Sequence, residues 1–175
     1  NRVWVGTSHA GTLLYDPEND SFVQIHQHSA DSLKPPTQVY GKFSQDKNGV
    51  VWASANATGF VWFDENSNVF RPAPLDSSDR QKLQDQNVFR VHTDSNNDIW
   101  LMTDSNVYKY LQSNKKLVHL LNYAAPQAIH DGQEGGLCED SDGNMWVVHS
   151  NLSSPIRFRG LSSDYERIAS NAMDA

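Results

Sequence analysis

Residues that could bind a metal ion are concentrated in two short stretches of the sequence. The segment DSDGN, residues 140–144, offers two carboxylates and an amide at alternate positions, as the start of a calcium-binding loop does. It lacks the later glutamate and the full length of such a loop, so a hairpin turn is the favoured interpretation. His26 and His28 lie one residue apart, but no third zinc ligand has an evident place. We therefore expect no metal site.

Catalytic arrangements do not stand out either. The sequence has no evident Ser-His-Asp spacing, glycine-rich phosphate loop or paired-carboxylate motif. The remaining histidines are scattered among different parts of the chain; they are His9, His92, His119, His130 and His149. We expect no catalytic residue and no cofactor.

Asp and Trp recur at a fixed spacing. Three segments place an aspartate six residues before a tryptophan: DKNGVVWAS at 46–54, DSNNDIWLM at 94–102 and DSDGNMWVV at 140–148. Trp4, in NRVWVGT, extends the series, so that the tryptophans are 48, 48 and 46 residues apart. A period of this size is the signature of a repeat architecture. The repeated residues, which we interpret as structural, are Trp4, Trp52, Trp100, Trp146, Asp46, Asp94 and Asp140.

Apolar residues recur at four positions of each repeat. Besides the tryptophan, one position lies nine residues before it, one lies ten to twelve residues after it and one lies eighteen residues after it. These positions are occupied by Phe43, Val91 and Leu137, then by Tyr15, Phe63, Tyr110 and Phe158, and then by Phe22, Phe70 and Val118. Turn residues rich in Asp, Asn and Gly separate them. Each repeat is therefore predicted to be a four-stranded antiparallel meander.

The predicted strands are apolar on both faces, as in the runs VWV, VVWA, FVWF and MWVV. Four-stranded sheets that repeat every 40 to 50 residues or so, with both faces covered by neighbours, are the blades of a β-propeller. We predict an all-β fold, a propeller fragment of about four blades in residues 1–169. The blades are a partial one at 1–25 and further ones at 38–71, 87–121 and 133–169, while the tail at 170–175 resembles an expression-vector scar.

Two stretches of the chain carry a resemblance to a known repeat family. VWVGTSHAGTLLYDPENDSF and CEDSDGNMWVV match the second and first halves of a pattern D-x-x-G-x-[IVM]-W-[VIL]-G-T, followed by G-x-x-x-[YF]-D-P. This pattern resembles the two-component regulator propeller repeat, over about residues 1–160. Such repeats form periplasmic sensor propellers of membrane-bound histidine kinases and related signalling proteins. The resemblance implies a periplasmic sensory module that relays a binding event to a kinase or other signalling domain outside this chain.

Composition argues against two classes of partner. Lys and Arg number 14 against 21 Asp and Glu, which gives a formal net charge of −7, and no basic cluster could follow a phosphate backbone. We therefore expect no nucleic acid partner. No stretch approaches the roughly 18 uninterrupted apolar residues of a membrane span, so none is expected in this segment.

The single cysteine, Cys138, cannot form an internal disulfide, and the cysteine count leaves the cellular compartment open. It lies beside Leu137 in an inner-strand pattern. We expect it to be a small buried hydrophobe.

The loops between blades are longer than the roughly two to six residues common in compact domains, which is typical of functional segments. They span 26–38, 72–87 and 122–136, and SDRQ in the second predicts a short helix over about 78–85. We expect them on the same propeller face as the short loops between second and third strands, where propellers usually carry ligands. Corresponding positions in those short loops give the candidate ligand-binding residues His9, Asn56, Asp104 and Asn151.

Three functions fit such a fragment. The first is a ligand-sensing module, with a small molecule or a glycan as ligand. The second is an enzyme, since streptogramin lyases are propellers with similar D-G-N-x-W repeats and use a metal-assisted histidine. The third is a protein-interaction scaffold. We favour the sensory module and expect no enzymatic activity in this segment.

The repeat count predicts an open stack of blades. The position nine residues before Trp4 is outside the sequence, so the first repeat lacks its inner strand, and the last has only DYERIA as a fourth strand. An open stack exposes a blade face and strand edges. We expect pairing with the remainder of a larger ring, or self-association.

Overall fold

We describe residues 2–7, 11–25, 39–55, 59–84, 86–123, 135–150, 152–160 and 163–169 of a computed structural model of the chain. These residues form 15 β-strands and one short α-helix. The strands make four antiparallel sheets, and neighbours within each sheet are also neighbours in the sequence. Each sheet is therefore a simple meander.

The first sheet contains three strands and the other three contain four each. The first consists of β1 (Trp4–Thr7), β2 (Gly11–Asp16) and β3 (Ser21–Ile25). The second consists of β4 (Val39–Gln45), β5 (Val51–Ala55), β6 (Gly59–Asp64) and β7 (Val69–Pro72). The third consists of β8 (Val88–Thr93), β9 (Ile99–Thr103), β10 (Asn106–Leu111) and β11 (Lys116–Asn122). The fourth consists of β12 (Gly135–Glu139), β13 (Met145–His149), β14 (Ile156–Phe158) and β15 (Tyr165–Arg167).

The inner strands of the sheets lie side by side. β4 packs beside both β1 and β8, and β8 packs beside β12. The outer edges are β3, β7, β11 and β15. The chain is all-β, and its sheets form an open, propeller-like stack, as the sequence predicts. We refer to the sheets as blades 1 to 4 in chain order.

Blades 1 to 3 each pack on the next blade through the tryptophan of the Trp-bearing strand. Successive side chains of a strand point to opposite faces, so Trp52 faces blade 3 while its neighbours Val51 and Ala53 face blade 1. Trp100 packs in the same way on Phe158 of blade 4, with ring centroids 5.3 Å apart. Both tryptophans are buried, with 5% and 1% of their surface exposed. The apolar runs of the sequence are therefore buried between blades.

The aspartate before each tryptophan closes the turn between two strands. The Asp46 backbone N–H donates to the Val50 carbonyl, and Asp46 Oδ1 accepts from the backbone N–H groups of Asn48 and Val50. Asp46 Oδ2 accepts from Trp52 Nε1 at 3.0 Å. Gly49 has a φ of 85°, which glycine adopts without strain. The same bonds recur around Asp94 and Asp140. One carboxylate thus shapes the turn and orients the indole, which explains the fixed spacing.

The helix α1 (Ser77–Lys82) lies in the loop between blades 2 and 3. It begins one residue earlier than the sequence predicts and ends three residues earlier. Its N-cap is Asp76, whose Oδ1 accepts from the backbone N–H of Asp79 at 2.8 Å. Among the described residues, no helix has the length and hydrophobicity needed to cross a membrane.

Three side chains differ from the sequence-based expectation: Cys138, Val118 and Phe22, the last of which is 52% exposed. Cys138, expected to be buried, is exposed, because it lies opposite Trp146 on the face of blade 4 that no described blade covers. Val118 is 36% exposed, and Leu117, 3% exposed, takes the buried place opposite Tyr110. Tyr110 follows Trp100 by ten residues, whereas Tyr15 and Phe63 each follow their tryptophan by eleven. Blade 3 is therefore one residue shorter here, and the buried position falls at Leu117 instead of Val118.

Candidate functional site

The turn between β9 and β10 meets the loop that carries α1 at one end of blade 3. The backbone N–H and the side-chain amide of Asn87 both donate to Asp104 Oδ2, each at 3.2 Å. The turn at 94–98 lies at the opposite end of the blade, because β9 runs from one end to the other. We call the end that carries Asp104 the Asp104 face.

A hydrogen-bonded network that extends from the buried Thr103 and Asn106 to the exposed His119 and Asn122 supports the β9–β10 turn. Thr103 Oγ1 donates to Gln86 Oε1 at 2.6 Å and accepts from the backbone N–H of Asn106 at 3.0 Å. Asn106 Nδ2 also donates to Gln86 Oε1, at 3.0 Å. Asn106 Oδ1 accepts from Asn122 Nδ2 at 3.0 Å and lies 2.9 Å from His119 Nε2. Polar groups that are paired in this way rigidify the buried part of such a network.

Tyr123 and His149 connect this network to blade 4. The Tyr123 hydroxyl donates to the carbonyl of Thr103, and its backbone N–H donates to the carbonyl of Ser105 at 2.7 Å. The His149 ring lies against the Tyr123 ring, with centroids 4.7 Å apart, and 5.6 Å from the ring of Phe89. The aromatic contacts therefore place the end of β13 beside the β9–β10 turn.

Burial sets the protonation of both rings. It raises the pKa of Tyr123, and the charge of Asp104 raises that pKa further. It lowers the pKa of His149, against an opposing effect of Asp104. At neutral pH the tyrosine is therefore a neutral hydrogen-bond donor and the histidine is a neutral imidazole.

A shallow cavity of about 370 Å³ opens beside His149. It is lined by Gly135, Gly136, Val148, His149 and Ser150. A Cβ atom on Gly135 would lie 2.9 Å from His149 Cδ2 and 3.0 Å from the Val148 carbonyl oxygen, so a larger residue would displace the inner strand. Arg90 Nε donates to the Gly135 carbonyl at 2.8 Å and fastens β12 to blade 3.

The Asp104 face combines polar atoms with aromatic surface. Asn87 is exposed and Asp104 is half-buried, and together they offer hydrogen-bond donors and acceptors. Phe89 and His149 are half-buried and offer apolar ring surface. Within the part of the chain that the structure describes, no group of three or more His, Cys, Asp and Glu side chains is arranged to hold a metal ion.

The predicted ligand-binding residues cannot all be placed on this face. Asp104 is on it, whereas His9, Asn56 and Asn151 lie outside the described residues.

Asn87, Tyr123 and His149 were not predicted as site residues. His149 follows Trp146 by three residues, as Thr103 follows Trp100, so the repeat alignment could have placed it at the end of its strand. Asn87 and Tyr123 belong to the connections between blades, where the repeat gives no register.

In blade 3 the repeat residues Asp94 and Trp100 form a buried cluster with two residues that do not recur, Lys109 and Asp98. Lys109 Nζ lies 2.6 Å from Asp94 Oδ2 and 3.4 Å from Asp98 Oδ2, and only 3% of the lysine side chain is exposed. The ammonium is also 5.1 Å from the centre of the Trp100 ring. Burial raises the pKa of Asp94, but hydrogen bonds from Lys109 and Trp100 outweigh it and hold the pKa below its usual value. This cluster holds the turn at 94–98 and the Trp100 ring in place, and that ring packs on Phe158 of blade 4.

No protein-family model matches this sequence, and no curated protein sequence matches it. Solved structures do match. The extracellular domain of a proposed one-component system from B. thetaiotaomicron superposes with a TM-score of 0.70 at 14% identity, over 97% of this chain and 21% of that chain. Virginiamycin B lyase from Staphylococcus aureus has a TM-score of 0.68 at 13% identity, over 96% of this chain and 52% of that chain. The extracellular domain of a proposed hybrid two-component system from B. thetaiotaomicron has a TM-score of 0.60 at 14% identity, over 97% and 20%.

The fold is a β-propeller. These likenesses confirm the fold class predicted from the repeats, and at such low identities they show the fold alone. The chain spans about a fifth of each of the two extracellular domains and about half of the lyase.

Proposed function

We propose that this chain is part of the extracytoplasmic sensory propeller of a signalling protein. In this role it binds a ligand and relays the event to a kinase or other output domain outside these residues. Two of the structures it resembles are extracellular domains of signalling systems, and the likeness covers nearly the whole of this chain. The repeat pattern resembles that of two-component regulator propellers, which supports the same function and a periplasmic location.

The arrangement of side chains on the Asp104 face is the observation that supports a binding role. A rigid, internally paired network holds an acidic turn beside two half-buried rings and a cavity of about 370 Å³. Preformed pockets of this kind place a few polar groups next to apolar surface. We propose a neutral, hydroxyl-rich ligand such as an oligosaccharide, with hydroxyls bonded to Asp104 and Asn87 and an apolar ring face against Phe89 or His149. His9, Asn56 and Asn151 are proposed to supply the equivalent contacts in the other blades.

A lyase shares the fold, so the fold by itself does not decide between sensing and catalysis. Our proposal assigns no reaction to this segment, because polar groups of the Asp104 face already bond to neighbours within the protein. Asp104 Oδ2 accepts from Asn87, and the Tyr123 hydroxyl donates to the Thr103 carbonyl. A protein-interaction scaffold would use the same end of the blades without a cavity ligand.

The test is direct titration with defined sugars. Cellohexaose, xylohexaose, maltohexaose and arabinohexaose would each be titrated into the chain by isothermal calorimetry. We expect saturable binding of at least one of them, and a loss of roughly tenfold or more in affinity for Asp104→Ala, since a lost charged hydrogen bond has about this effect. Asp142→Ala, an exposed aspartate in the turn at the opposite end of blade 4, is the control and should bind normally.

The proposal fails if none of these sugars binds, or if Asp142→Ala weakens binding and Asp104→Ala does not. The second result would place the ligand on the opposite end of the propeller.

A further inference from the structure

Arg90 crosses the seam between β8 and β12, the inner strands of blades 3 and 4. Its Nε donates to the Gly135 carbonyl of β12 at 2.8 Å, and its Nη1 donates to the Phe89 carbonyl of its own strand at 3.0 Å. Both acceptors are neutral backbone groups. These bonds therefore fix the guanidinium in place without neutralising its charge.

Arg90 differs from the other cations that are buried or half-buried. Within the described ranges these are Lys109, which lies 2.6 Å from Asp94 Oδ2, and Arg157, which forms an ion pair with Glu166. Arg90 is half-buried, and no described carboxylate pairs with it. Cationic side chains that leave water are normally paired with an acid. The charge of Arg90 is therefore left for a partner that the described residues do not supply.

Part of the Arg90 guanidinium is available to a ligand. The group has five N–H donors, of which the one on Nε and one on Nη1 are used. Both N–H groups of Nη2 and the second one of Nη1 have no acceptor in the part of the chain that the structure describes. Nη2 is not buried away from water either. The unpaired end of the group can therefore be reached from solution.

The acidic side chains at the two ends of this seam bond to other groups. At the end that carries the turn, Glu139 Oε2 accepts from the Ser95 backbone N–H at 2.7 Å, and Glu139 Oε1 accepts from the Ser95 hydroxyl. At the other end, Asp104 Oδ2 accepts from Asn87. Neither carboxylate forms an ion pair with Arg90, so neither competes with an incoming anion for its free donors.

Aromatic rings and glycine backbone surround the guanidinium. Its Cζ lies 5.7 Å from the centre of the Phe89 ring, and that ring lies 5.6 Å from the ring of His149. Across the seam, β12 begins with Gly135 and Gly136, which have no side chain to cover the group. Charges attract each other more strongly where less water surrounds them. An anion should therefore bind more tightly at Arg90 than at an exposed arginine.

The free end of the guanidinium indicates which anion fits. Its N–H groups lie in one plane, which matches the two oxygens of a carboxylate. A carboxylate carries one negative charge, which one guanidinium balances, whereas a phosphate monoester carries about −1.5 to −2 at neutral pH. The net charge of −7 and Asp104, at the same end of blade 3, would repel the second charge. A carboxylate is therefore favoured.

We infer that Arg90 is the anchor of an anion site at the seam between blades 3 and 4, and that the site binds a carboxylate. Nη2 and the free N–H of Nη1 hold the carboxylate, while the other two donors keep the guanidinium fixed to β12 and β8. The carboxylate belongs either to a sugar acid or to a simple organic acid. The site is separate from the contacts proposed for a neutral ligand at Asp104 and Asn87, and it does not depend on them.

The test compares ligands with and without a carboxylate by calorimetric titration. D-Glucuronate carries a carboxylate where D-glucose carries a hydroxymethyl group, acetate represents a simple acid, and inorganic phosphate is the competing anion. We expect glucuronate, acetate or both to bind saturably with roughly millimolar affinity. Binding of glucuronate alone identifies a sugar acid, and equal binding of acetate shows that the carboxylate group suffices.

Arg90→Gln should weaken carboxylate binding by about tenfold or more, because charged hydrogen bonds are lost. Arg80→Gln is the matched control: it removes an exposed arginine of α1, changes the net charge equally and should bind as the unaltered chain does. Melting temperatures of both variants show whether they remain folded.

A second readout uses the unaltered protein. In the ¹⁵N-labelled chain, the Nε–H resonance of Arg90, assigned by its absence in Arg90→Gln, should move with carboxylate concentration and stay in place with glucose. The proposal is overturned if neither carboxylate binds saturably, if this resonance does not move, or if folded Arg90→Gln keeps the affinity of the unaltered chain. It is also overturned if phosphate binds at Arg90 more tightly than either carboxylate.

Discussion

At the residue scale, one aspartate in each repeat serves two structural purposes. In blade 3, Asp94 Oδ1 accepts from the backbone of its own turn, and Oδ2 accepts from Trp100 Nε1 at 2.8 Å. The turn and the inter-blade contact are therefore coupled through a single side chain. The indole is held in the orientation in which its ring packs on Phe158 of the next blade.

Trp100→Ala should destabilise the protein by about 3 to 5 kcal/mol, because a fully buried side chain is lost from the interface between blades 3 and 4. The measurement is urea unfolding followed by circular dichroism. Trp146→Ala is the matched control: it removes the same repeat residue from a half-buried position and should cost clearly less. A loss below about 1 kcal/mol for Trp100→Ala would mean that the residue does not fill an inter-blade space.

Sequence patterns reveal such residues when they repeat and miss them when they do not. Trp100 and Asp94 recur with a fixed spacing, which points to their structural role. Lys109 does not, because its place is taken by Trp62 in blade 2 and Arg157 in blade 4. A lysine in a strand is usually solvated, and its burial depends on Asp94 and Asp98 being within reach, which is a property of the fold.

At the element scale, two of the turn aspartates, Asp94 and Asp140, make the fold sensitive to acid, because hydrogen bonds hold the pKa of each carboxyl below its usual value. The pKa of Asp140 is lowered to about 2, first by the hydrogen bond from Trp146 and then by those from Asn144. An aspartate in an unfolded chain has a pKa of about 3.9. Between these values the unfolded chain binds more protons than the folded one, so the free energy of unfolding decreases as the pH is lowered. The contribution of Asp140 to the free energy of unfolding is complete above about pH 5 and is lost as the pH approaches 2.

Asp140→Asn should therefore flatten the pH dependence of unfolding. We expect the variant to be less stable than the unaltered chain at pH 6 and to lose less stability between about pH 5 and 2, since one shifted carboxyl is removed. Chemical unfolding at a series of pH values measures both quantities. Asp142→Asn, which removes an exposed carboxyl of the same turn that does not bond the indole, is the matched control. Identical slopes for the unaltered chain and Asp140→Asn would contradict the role assigned to this hydrogen bond.

Strands and turns could be predicted from sequence more fully than the candidate site. The alternation of apolar positions with Asp-, Asn- and Gly-rich turns predicts the meanders, because each strand buries side chains against a neighbouring blade. The Asp104 face depends on where a long loop folds back, as Asn87 does onto Asp104. Tyr123 and His149 come together from different blades. Such contacts follow from the angle between blades, which no local pattern encodes.

At the scale of the whole molecule, the described blades end in two open faces. On blade 4, Trp146 is half-buried, while Val148 is 45% exposed and Cys138 is exposed. On blade 1, Val3 and Phe22 are 53% and 52% exposed. The open face of blade 4 around Trp146, which we call the Trp146 face, corresponds to the face of blade 3 around Trp100, which blade 4 covers. The open face of blade 1 corresponds to the face of blade 2 on which Trp4 packs. The two faces are therefore complementary, and head-to-tail association would bury both.

Sedimentation equilibrium of the isolated chain tests the open-stack account most directly. We predict that the weight-average mass rises with concentration up to about 100 μM, a range that detects dissociation constants in the micromolar region. Reaction of Cys138 with a thiol reagent should slow over the same range, because the Trp146 face becomes covered. Trp146→Glu should weaken the association. A strictly monomeric, cooperatively folded chain throughout this range, with Cys138 reactivity independent of concentration, would contradict the open stack and indicate a closed small propeller.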